Sequence, residues 1–388
     1  MIKLREVAII GVGMTNFGKL SDSIVDMGVQ AAEAAINDCK IEKNQIEALF
    51  LGNFVGEVLT GQALLAALTA RSLGLRGIPV TKVEGACASG GIALRQAILT
   101  VASGQAEVAM AVGAEKMTAS PTGKVTGALA GALDQQLDGR SGLTFPGFFG
   151  LVAQRYQAEY QSDMEAVAQV VVKSRKNAVK NPVCYLRKEV SAEQVRGSYP
   201  VAEPLRLMDC CPISDGAAAA VVCSVDMAKK LSGQPIKVLA SVQTSGAPRI
   251  SDVSSLLTFE ATTQAAALAY TQAGITAKDV DVVELHDCFS IAEVVDSEDL
   301  GFFEKGEGAE AVKAGTTAVD GDIPINPSGG LISRGHPVGA TGLAQVYEIV
   351  RQLQGKAVNQ VRNASVGLAH NLGGTGATCT VTILTNDI

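Results

Sequence analysis

The residues of this chain best suited to chemistry are one cysteine in a turn of small residues and three histidines. Cys87 lies in segment 83–91, which follows a short apolar run and opens a helical pattern. A cysteine at a helix N-terminus has backbone N–H groups and the positive end of the helix dipole beside it, which lowers the thiol pKa. Small neighbours leave room for a substrate at the sulfur. The pattern predicts a reactive thiolate, and a buried structural cysteine is the alternative.

The three histidines each stand in a short loop-like motif beside a strongly patterned element. The motifs are His-Asp-Cys-Phe from His286, Gly-His-Pro-Val-Gly-Ala-Thr-Gly around His336, and His-Asn-Leu-Gly-Gly from His370. Imidazole is the side chain whose ordinary pKa lies nearest neutral pH. Confinement of every histidine to such a motif favours a shared site over core packing.

Composition excludes several other classes of protein. The chain has 388 residues, of which 47% are hydrophobic and 18% charged, with a net charge of −7. This is typical of a folded protein of two or three domain-sized units. The acidic balance and an aromatic content of 4% disfavour nucleic-acid binding. We expect no membrane span, because no apolar run approaches ~18 residues, and no signal peptide.

The cysteines do not form a disulfide or metal framework. There are eight in the chain, scattered and without a Cys-x-x-Cys pair, beside only three histidines. A structural zinc site is therefore not expected, and reduced thiols indicate a cytoplasmic location.

Strands alternate with helices, which predicts a layered α/β protein. Apolar runs predict strands at residues 7–12, 46–51, 79–83, 108–112 and 217–224. Helical spacing predicts helices at residues 23–39, capped by Ser21 or Asp22, and at 61–73, 90–103, 149–160 and 164–179. Glycine and proline clusters break the alternation between residues 118 and 206, which indicates an inserted region of the kind that forms lids or binding loops.

One α/β unit occurs twice in the sequence. Residues 31–50 and 265–284 align at a constant offset, which puts Ile41 on Ile275 and Ile46 on Val280. Two fused copies explain the length of the chain. We expect an N-terminal half formed by residues 1–118 and 207–233, an inserted loop domain at 119–206, and a C-terminal half at 234–388.

Taken in order, the motifs resemble the thiolase superfamily over essentially the whole chain. They are closest to its sterol-carrier-protein-type and archaeal acetoacetyl-CoA thiolase branch. The likeness rests on the Ala-Cys-Ala-Ser-Gly-Gly turn, the His-Asp-Cys-Phe box, Asn-Pro-Ser-Gly-Gly with Gly-His-Pro-Val-Gly-Ala-Thr-Gly, and the glycine-rich C-terminal segment. It implies a duplicated five-layered α/β/α/β/α fold with an inserted loop domain, and a homodimer or dimer of dimers.

The resemblance also implies thiolytic cleavage or Claisen formation of a 3-oxoacyl-CoA, with coenzyme A (CoA) as co-substrate and no tightly bound cofactor. Cys87 matches the nucleophile that carries the acyl group, and His336 the base that takes its proton. His286 stands where many relatives have Asn and would serve the same oxyanion site. The N–H of Cys87 and one from the loop after His370 would form a second oxyanion site.

The chain departs from most thiolases in lacking a Cys-x-Gly loop near its C-terminus, where it has His370 instead. The branch resemblance suggests Cys288 as the acid–base at the α-carbon, since a thiol can both take and give a proton. The alternative is His370 in that role, with Cys288 as a loop filler. Cys379 is expected to be structural.

The resemblance further suggests which residues meet the substrate. The expected coenzyme contacts are Cys211, Ser214, Gly373 and Gly374. The apolar residues expected to line or support an acyl pocket are Phe145, Phe148, Phe149 and Leu151.

Other functions remain open at this level. One is a thiolase for an unusual aromatic or dicarboxylic 3-oxoacyl-CoA that works with a small zinc-ribbon/OB-fold partner. Another is a thiolase-like aldolase or non-catalytic subunit, which would be expected to lose Cys87 or one of its histidines.

Overall fold

The computed structural model describes residues 4–231 and 233–388. Residues 1–3, on which the expectation of no signal peptide partly rests, lie outside the described residues, as does Ser232 in the predicted N-terminal half. The strands are β1 (Val7–Met14), β2 (Ala48–Gly52), β3 (Val80–Val83), β4 (Val108–Glu115), β5 (Pro200–Ala202), β6 (Leu205–Arg206), β7 (Gly216–Ser224), β8 (Ile236–Ser245), β9 (Val282–Glu284), β10 (Val366–Gly373) and β11 (Thr378–Thr385). The α-helices are α1 (Ile24–Cys39), α2 (Gly56–Thr60), α3 (Leu65–Ser72), α4 (Ser89–Ala102), α5 (Thr122–Leu129), α6 (Phe145–Tyr160), α7 (Met164–Ala178), α8 (Ala192–Arg196), α9 (Val225–Ala228), α10 (Glu260–Ala273), α11 (Ser290–Asp299), α12 (Gly308–Lys313), α13 (Gly330–Arg334) and α14 (Thr341–Leu353).

The main sheet repeats one strand pattern. Its hydrogen-bonded order is β3-β2-β4-β7-β1-β8-β11-β10-β9. In the first half β2 is parallel to β4, and β7 is antiparallel to both β4 and β1. In the second half β9 is parallel to β10, and β11 is antiparallel to both β10 and β8. The halves meet at β1 and β8 through the pairs Ala8–Lys237 and Ile9–Ile236. The topology is therefore that of a duplicated unit.

Helices cover both faces of each half of the sheet. Helices α4 and α14 pack on each other and share one buried cluster with side chains of both halves, among them Ala220 of β7 and Val282 of β9. Helices α1 and α3 cover the other face of the first half, and α10 and α11 that of the second. Because α4 and α14 lie between the two halves of the sheet, the layers follow the order helix, half-sheet, helix, half-sheet, helix. This is the five-layered α/β fold that the sequence resemblance implies. The α4/α14 layer brings two helix N-termini, each next to a chemical motif, to the centre of the molecule.

The region between β4 and β7 is an excursion from the sheet. These two strands are hydrogen-bonded neighbours, yet α5, α6, α7, α8 and the β5–β6 hairpin lie between them in the chain. Helix α6 begins at Phe145, earlier than predicted, because Thr144 accepts a hydrogen bond from Gly147 N–H and caps the helix.

Two local predictions were wrong. The helix expected at 61–73 begins only at Leu65, as α3, because Gly61 takes a left-handed backbone (φ +71°) and ends the preceding helix α2. The N-cap of α1 is Ser23, whose hydroxyl accepts from Asp26 N–H, and not Ser21 or Asp22. Across residues 4–231 and 233–388, no helix combines the length and apolar character needed to cross a bilayer.

Candidate active site

The turn around Cys87 is held by its own side chains and backbone. Cys87 lies in a short 3-10 turn, Ala86–Ala88, that leads directly into α4. Ser89 Oγ accepts from Gly85 N–H at 3.0 Å and donates to Ala86 O at 2.7 Å. Ala86 has a positive φ of 50°, a conformation that costs energy for any residue with a Cβ. The turn thereby presents the sulfur at the N-terminus of the central helix.

Four of the predicted catalytic residues line one cavity. Cys87, His286, Cys288 and His336 all contribute to its wall, and its volume is about 290 Å³. Most of the remaining wall is apolar. Part of it comes from the inserted region, through Leu129, Phe145 and Val201, and part from outside it, through Leu207, Ile213 and Val338. Within the described part of the chain, no aspartate, glutamate, lysine or arginine lines this cavity. The cavity therefore suits an uncharged group.

The sulfur of Cys87 and the rings of two histidines converge. The Cys87 sulfur and one ring nitrogen each of His286 and His336 lie within 4.8 Å of one another. The two rings are edge to face, with centroids 4.9 Å apart. This is the arrangement that a thiol, a base and a hydrogen-bond donor need in order to act on one atom.

The ring of His336 presents an unprotonated nitrogen. Its Nδ1 lies 2.6 Å from Thr341 Oγ1, and that hydroxyl donates to Pro337 O at 3.1 Å. Because the single hydroxyl hydrogen is used on Pro337, Nδ1 is the donor toward Thr341, which leaves Nε2 without a proton. Among the described residues Nε2 has no hydrogen-bond partner. It is free to take a proton from a thiol.

The thiol and imidazole at this site are neutral at rest. Burial lowers the pKa of His336 to about 3 and raises the pKa of Cys87 to about 12, although Gly374 N–H opposes the second shift. The predicted low thiol pKa at Cys87 was wrong, because desolvation outweighs the helix N-terminus and the N–H groups. A neutral thiol needs a base to remove its proton before it can attack.

Cys288 faces the same cavity as a protonated thiol. Burial raises its pKa well above the ordinary value, and the neighbouring thiols of Cys211 and Cys87 add to the effect. Cys288 O accepts from Cys211 N–H at 3.0 Å, so the two cysteines lie on paired segments. Cys211 also lines the cavity.

His370 lies elsewhere. It is in the middle of β10 and not in a loop, is 0% exposed, and does not line the cavity. Its Nε2 lies 3.0 Å from Thr262 Oγ1 and 3.7 Å from Asp296 Oδ1, while its Nδ1 accepts from His286 N–H at 3.4 Å. Burial lowers its pKa to about 3. The contacts are those of a residue that supports the His286 loop.

The four predicted coenzyme contacts separate into two groups. Cys211 and Gly374 line the cavity. Ser214 is fully buried, and its hydroxyl accepts from His336 N–H at 2.8 Å. Gly373 packs on the nucleophile turn, where a Cβ would lie 2.3 Å from Gly85 O. Ser214 and Gly373 therefore hold the segments of His336 and Cys87 in place and do not line the cavity.

The predicted pocket residues also divide. Phe145 lines the cavity, and Phe149 stacks on the cavity residue Phe289 with ring centroids 4.6 Å apart. Phe148 packs behind Phe149 at 5.1 Å. The side chain of Leu151 is 41% exposed, so the expectation that it supports the pocket was wrong. Leu151 lies on the solvent side of α6.

Sequence reasoning did not single out Asn371 and Asp287. Asn371 Nδ2 donates to Cys87 O at 3.0 Å and to His286 Nδ1 at 3.1 Å. Asp287 accepts from Leu331 N–H at 2.7 Å, which ties the His286 loop to α13, just before His336. A strand assignment at residues 366–373 could have pointed to Asn371, because adjacent residues of a strand face opposite sides and Asn371 follows His370.

Comparison with known proteins covers both halves of the chain. Residues 7–226 match the family described as "Thiolase, N-terminal domain" and residues 243–386 the family described as "Thiolase C-terminal domain-like". The chain is 46% identical to the acetyl-CoA acetyltransferase of Methanothermobacter thermautotrophicus over 98% of this chain and 99% of that protein. It is 36% identical to sterol carrier protein 2 of Homo sapiens over 96% of this chain and 71% of that protein.

Solved structures show the same fold. The Ltp2-ChsH2(DUF35) aldolase superposes with a TM-score of 0.85 at 27% identity, over 98% of this chain and 97% of that one. Human mitochondrial 3-ketoacyl-CoA thiolase in complex with CoA superposes with a TM-score of 0.76 at 18% identity, over 99% of both chains. The second likeness concerns the fold.

Proposed function

The chain belongs to the thiolase family and is an acyltransferase, and we propose that it works through an acyl-enzyme on Cys87 with CoA thioesters as substrates. The observation that carries the proposal is the convergence of the Cys87 sulfur, His286 and His336 within 4.8 Å at the wall of one cavity. The 46% identity to an acetyl-CoA acetyltransferase over nearly the full length supports acetyl as the group transferred.

The first step is attack by the sulfur. His336 Nε2 takes the proton of Cys87, and the sulfur forms a bond to the 3-keto carbon of a 3-oxoacyl-CoA. The N–H groups of Cys87 and Gly374 both face the sulfur. They are placed to stabilise the negative oxygen that develops on the attacked carbon.

The second step breaks the carbon–carbon bond. The electron pair moves to the α-carbon, and the resulting enolate oxygen accepts hydrogen bonds from the His286 and His336 rings. Cys288, which is protonated at rest, gives its proton to the α-carbon and releases acetyl-CoA. CoA then attacks acyl-Cys87, its thiol proton returns to Cys288, and His336 returns its proton to Cys87.

The wall of the cavity supports an uncharged acyl group. Its volume is about 290 Å³ and, among the described residues, no cationic side chain faces it. A dicarboxylic acyl group would bury a carboxylate there without a partner, which is strongly unfavourable. The geometry therefore supports the acetyl-transferring thiolase over the dicarboxylic alternative.

The assembly of the chain is also a proposal. We expect a homodimer or a dimer of dimers in the cytoplasm. The solved Ltp2-ChsH2(DUF35) aldolase includes a DUF35 component in its name, and this supports a test for a small zinc-ribbon/OB-fold partner of the present chain. Light scattering of the purified chain, with and without such a protein, measures both.

Intact-protein mass spectrometry tests the mechanism. The chain is mixed with acetoacetyl-CoA and with longer and aromatic 3-oxoacyl-CoAs, with and without free CoA. An acetyl adduct that maps to Cys87 and disappears on addition of CoA is the expected result. Cys87→Ala should give neither adduct nor turnover, and turnover by that variant would refute the acyl-enzyme.

A further inference from the structure

Asn371 connects the nucleophile to the oxyanion histidine. Its Oδ1 accepts from Gly91 N–H at 3.3 Å in the first turn of α4. Its Nδ2 donates to Cys87 O at 3.0 Å and to His286 Nδ1 at 3.1 Å. The side chain is 2% exposed, so its contacts are made within the protein.

The orientation of the carboxamide follows from its neighbours. A backbone N–H can only donate and a backbone carbonyl can only accept, so the oxygen must face Gly91 and the nitrogen must face Cys87. The nitrogen has no lone pair to offer, so the His286 Nδ1 that it faces must be the acceptor. The neutral His286 ring then carries its proton on Nε2.

Two glycines leave the space that this carboxamide occupies. A Cβ at Gly342 would lie 2.2 Å from Asn371 Oδ1, and a Cβ at Gly91 would lie 3.2 Å from the same atom. Both glycines stand in the first turns of the two central helices, α14 and α4. The close approach of these helix ends therefore depends on the absence of side chains beside Asn371.

We propose that Asn371 is the positioning residue that makes His286 a hydrogen-bond donor toward the substrate. The catalytic use of the His286 Nε2 proton rests on the proposed thiolase mechanism, but the position of that proton rests only on the hydrogen bonds of Asn371. By donating to Nδ1, Asn371 fixes the proton on Nε2, where an enolate oxygen can accept from it. By donating to Cys87 O, the same carboxamide keeps the nucleophile turn in register with that ring.

Other groups around His286 reinforce a neutral ring. His336 faces it edge to face, and His370 accepts its backbone N–H. Burial and these two histidines lower the pKa of His286 well below the ordinary value. The thiol of Cys87 is protonated, and the carboxylate of Asp287 points away toward α13. The choice between the two neutral tautomers is therefore left to Asn371.

The chain is well suited to a direct test because it has only three histidines. Untagged protein labelled with ¹⁵N-histidine is measured by solid-state NMR, and each ring is assigned from single His→Gln variants. We expect His286 with an unprotonated Nδ1 and a protonated Nε2, and His336 with the reverse. A protonated Nδ1 on His286 in the unaltered protein would overturn the proposal.

Asn371→Asp is the decisive variant. Its carboxyl group must either leave a proton on His286 Nδ1 or donate a strong O–H bond to it, and both move the Nδ1 resonance toward the protonated position. Asn177→Asp is the matched control, since Asn177 is 6% exposed, donates to Asn326 O at 3.1 Å and, among the described residues, makes no hydrogen bond to a histidine. Asn371→Asp should shift His286 and Asn177→Asp should shift none of the three rings.

Turnover supplies the second readout. Asn371→Asp should lower kcat for acetoacetyl-CoA cleavage by about 100-fold, the usual effect of losing one oxyanion donor, with KM changed by less than about threefold. An unchanged His286 resonance in this variant refutes the proposal whatever the rate. If the spectra are as expected but the unaltered protein does not cleave acetoacetyl-CoA, the proposed mechanism fails and the proton placement stands.

Discussion

Replacement of Cys288 by alanine should separate the two halves of the proposed reaction. Cys288 faces the cavity, while the other candidate for the α-carbon proton, His370, is 0% exposed on β10 with its ring toward Thr262 and Asp296. Exchange of acetyl between acetyl-CoA and CoA needs only Cys87 and the histidines, because Cys288 then keeps its proton and His336 passes the thiol proton between CoA and Cys87. Only the making or breaking of the carbon–carbon bond needs a proton at the α-carbon.

The size of the effect follows from the role. Positioned general acid–base catalysis contributes roughly 10²–10⁴ in rate, which is about 3–5 kcal/mol of barrier at 1.36 kcal/mol per tenfold. Removing the thiol also leaves a small void, which affects stability by about 1 kcal/mol. Cys379→Ala is the control for the void, because Cys379 is fully buried on β11 and does not line the cavity.

Two exchange reactions read the two halves independently. Transfer of acetyl between acetyl-CoA and isotopically labelled CoA reports on Cys87, and should persist within about threefold in Cys288→Ala. Exchange of the acetyl-CoA methyl protons with D₂O and cleavage of acetoacetyl-CoA both need the α-carbon acid–base, and should fall by roughly 10²–10⁴. Cys379→Ala should change none of the three rates by more than about threefold.

The outcomes that refute this reasoning are distinct. Parallel loss of all three rates in Cys288→Ala would mean that the cysteine supports the nucleophile and not the α-carbon. Full activity of Cys288→Ala, with loss of methyl exchange in a folded His370→Asn, would assign the proton transfer to His370.

Three further predictions concern the base, the buried histidines and the pocket. His336→Ala should slow acylation of Cys87 by roughly 10²–10⁴. In the unaltered protein the acylation rate measured by rapid quench should be independent of pH between about 6 and 9, because the pKa of His336 is about 3 and that of Cys87 about 12. A change of this rate with a midpoint near pH 7 would contradict the prediction. His370 has a pKa of about 3 when folded and 6.5 ordinarily, so protons bind preferentially to the unfolded chain and stability present above pH 6.5 is lost as the pH falls toward 3. In urea unfolding, the free energy of unfolding of His370→Asn should fall by about 1.4 kcal/mol less per pH unit in that window than that of the unaltered protein. Equal dependence on pH in the two proteins would rule out a buried neutral imidazole at His370. Phe145→Ala should raise kcat/KM for longer 3-oxoacyl-CoAs relative to acetoacetyl-CoA by about tenfold. Leu151 is 41% exposed on the same helix, so Leu151→Ala should leave this ratio unchanged. Equal effects of the two substitutions would place the acyl group elsewhere.

Much of the fold and the identity of the chemical groups could be predicted from the sequence. The apolar runs and helical spacings are local patterns, and they placed β1, α4 and β4 within a few residues. The repeat at a constant offset predicted the duplication that the strand order displays. Motif order singled out Cys87 and His336 as candidates, because the small-residue turn around Cys87 and the glycine-rich loop around His336 have distinctive sequences.

The layered duplicated fold and a candidate cysteine–histidine chemistry could therefore be predicted from the sequence alone, because both are encoded in short segments. Which side chains of those segments face the candidate site, and in which protonation state, depends on the tertiary structure. A strand sends adjacent side chains to opposite sides, so only its placement in the sheet put Asn371 on the catalytic side and His370 behind it. Burial is set by distant elements and outweighs local dipoles, so only the packed molecule made Cys87 a neutral thiol and His336 a neutral base.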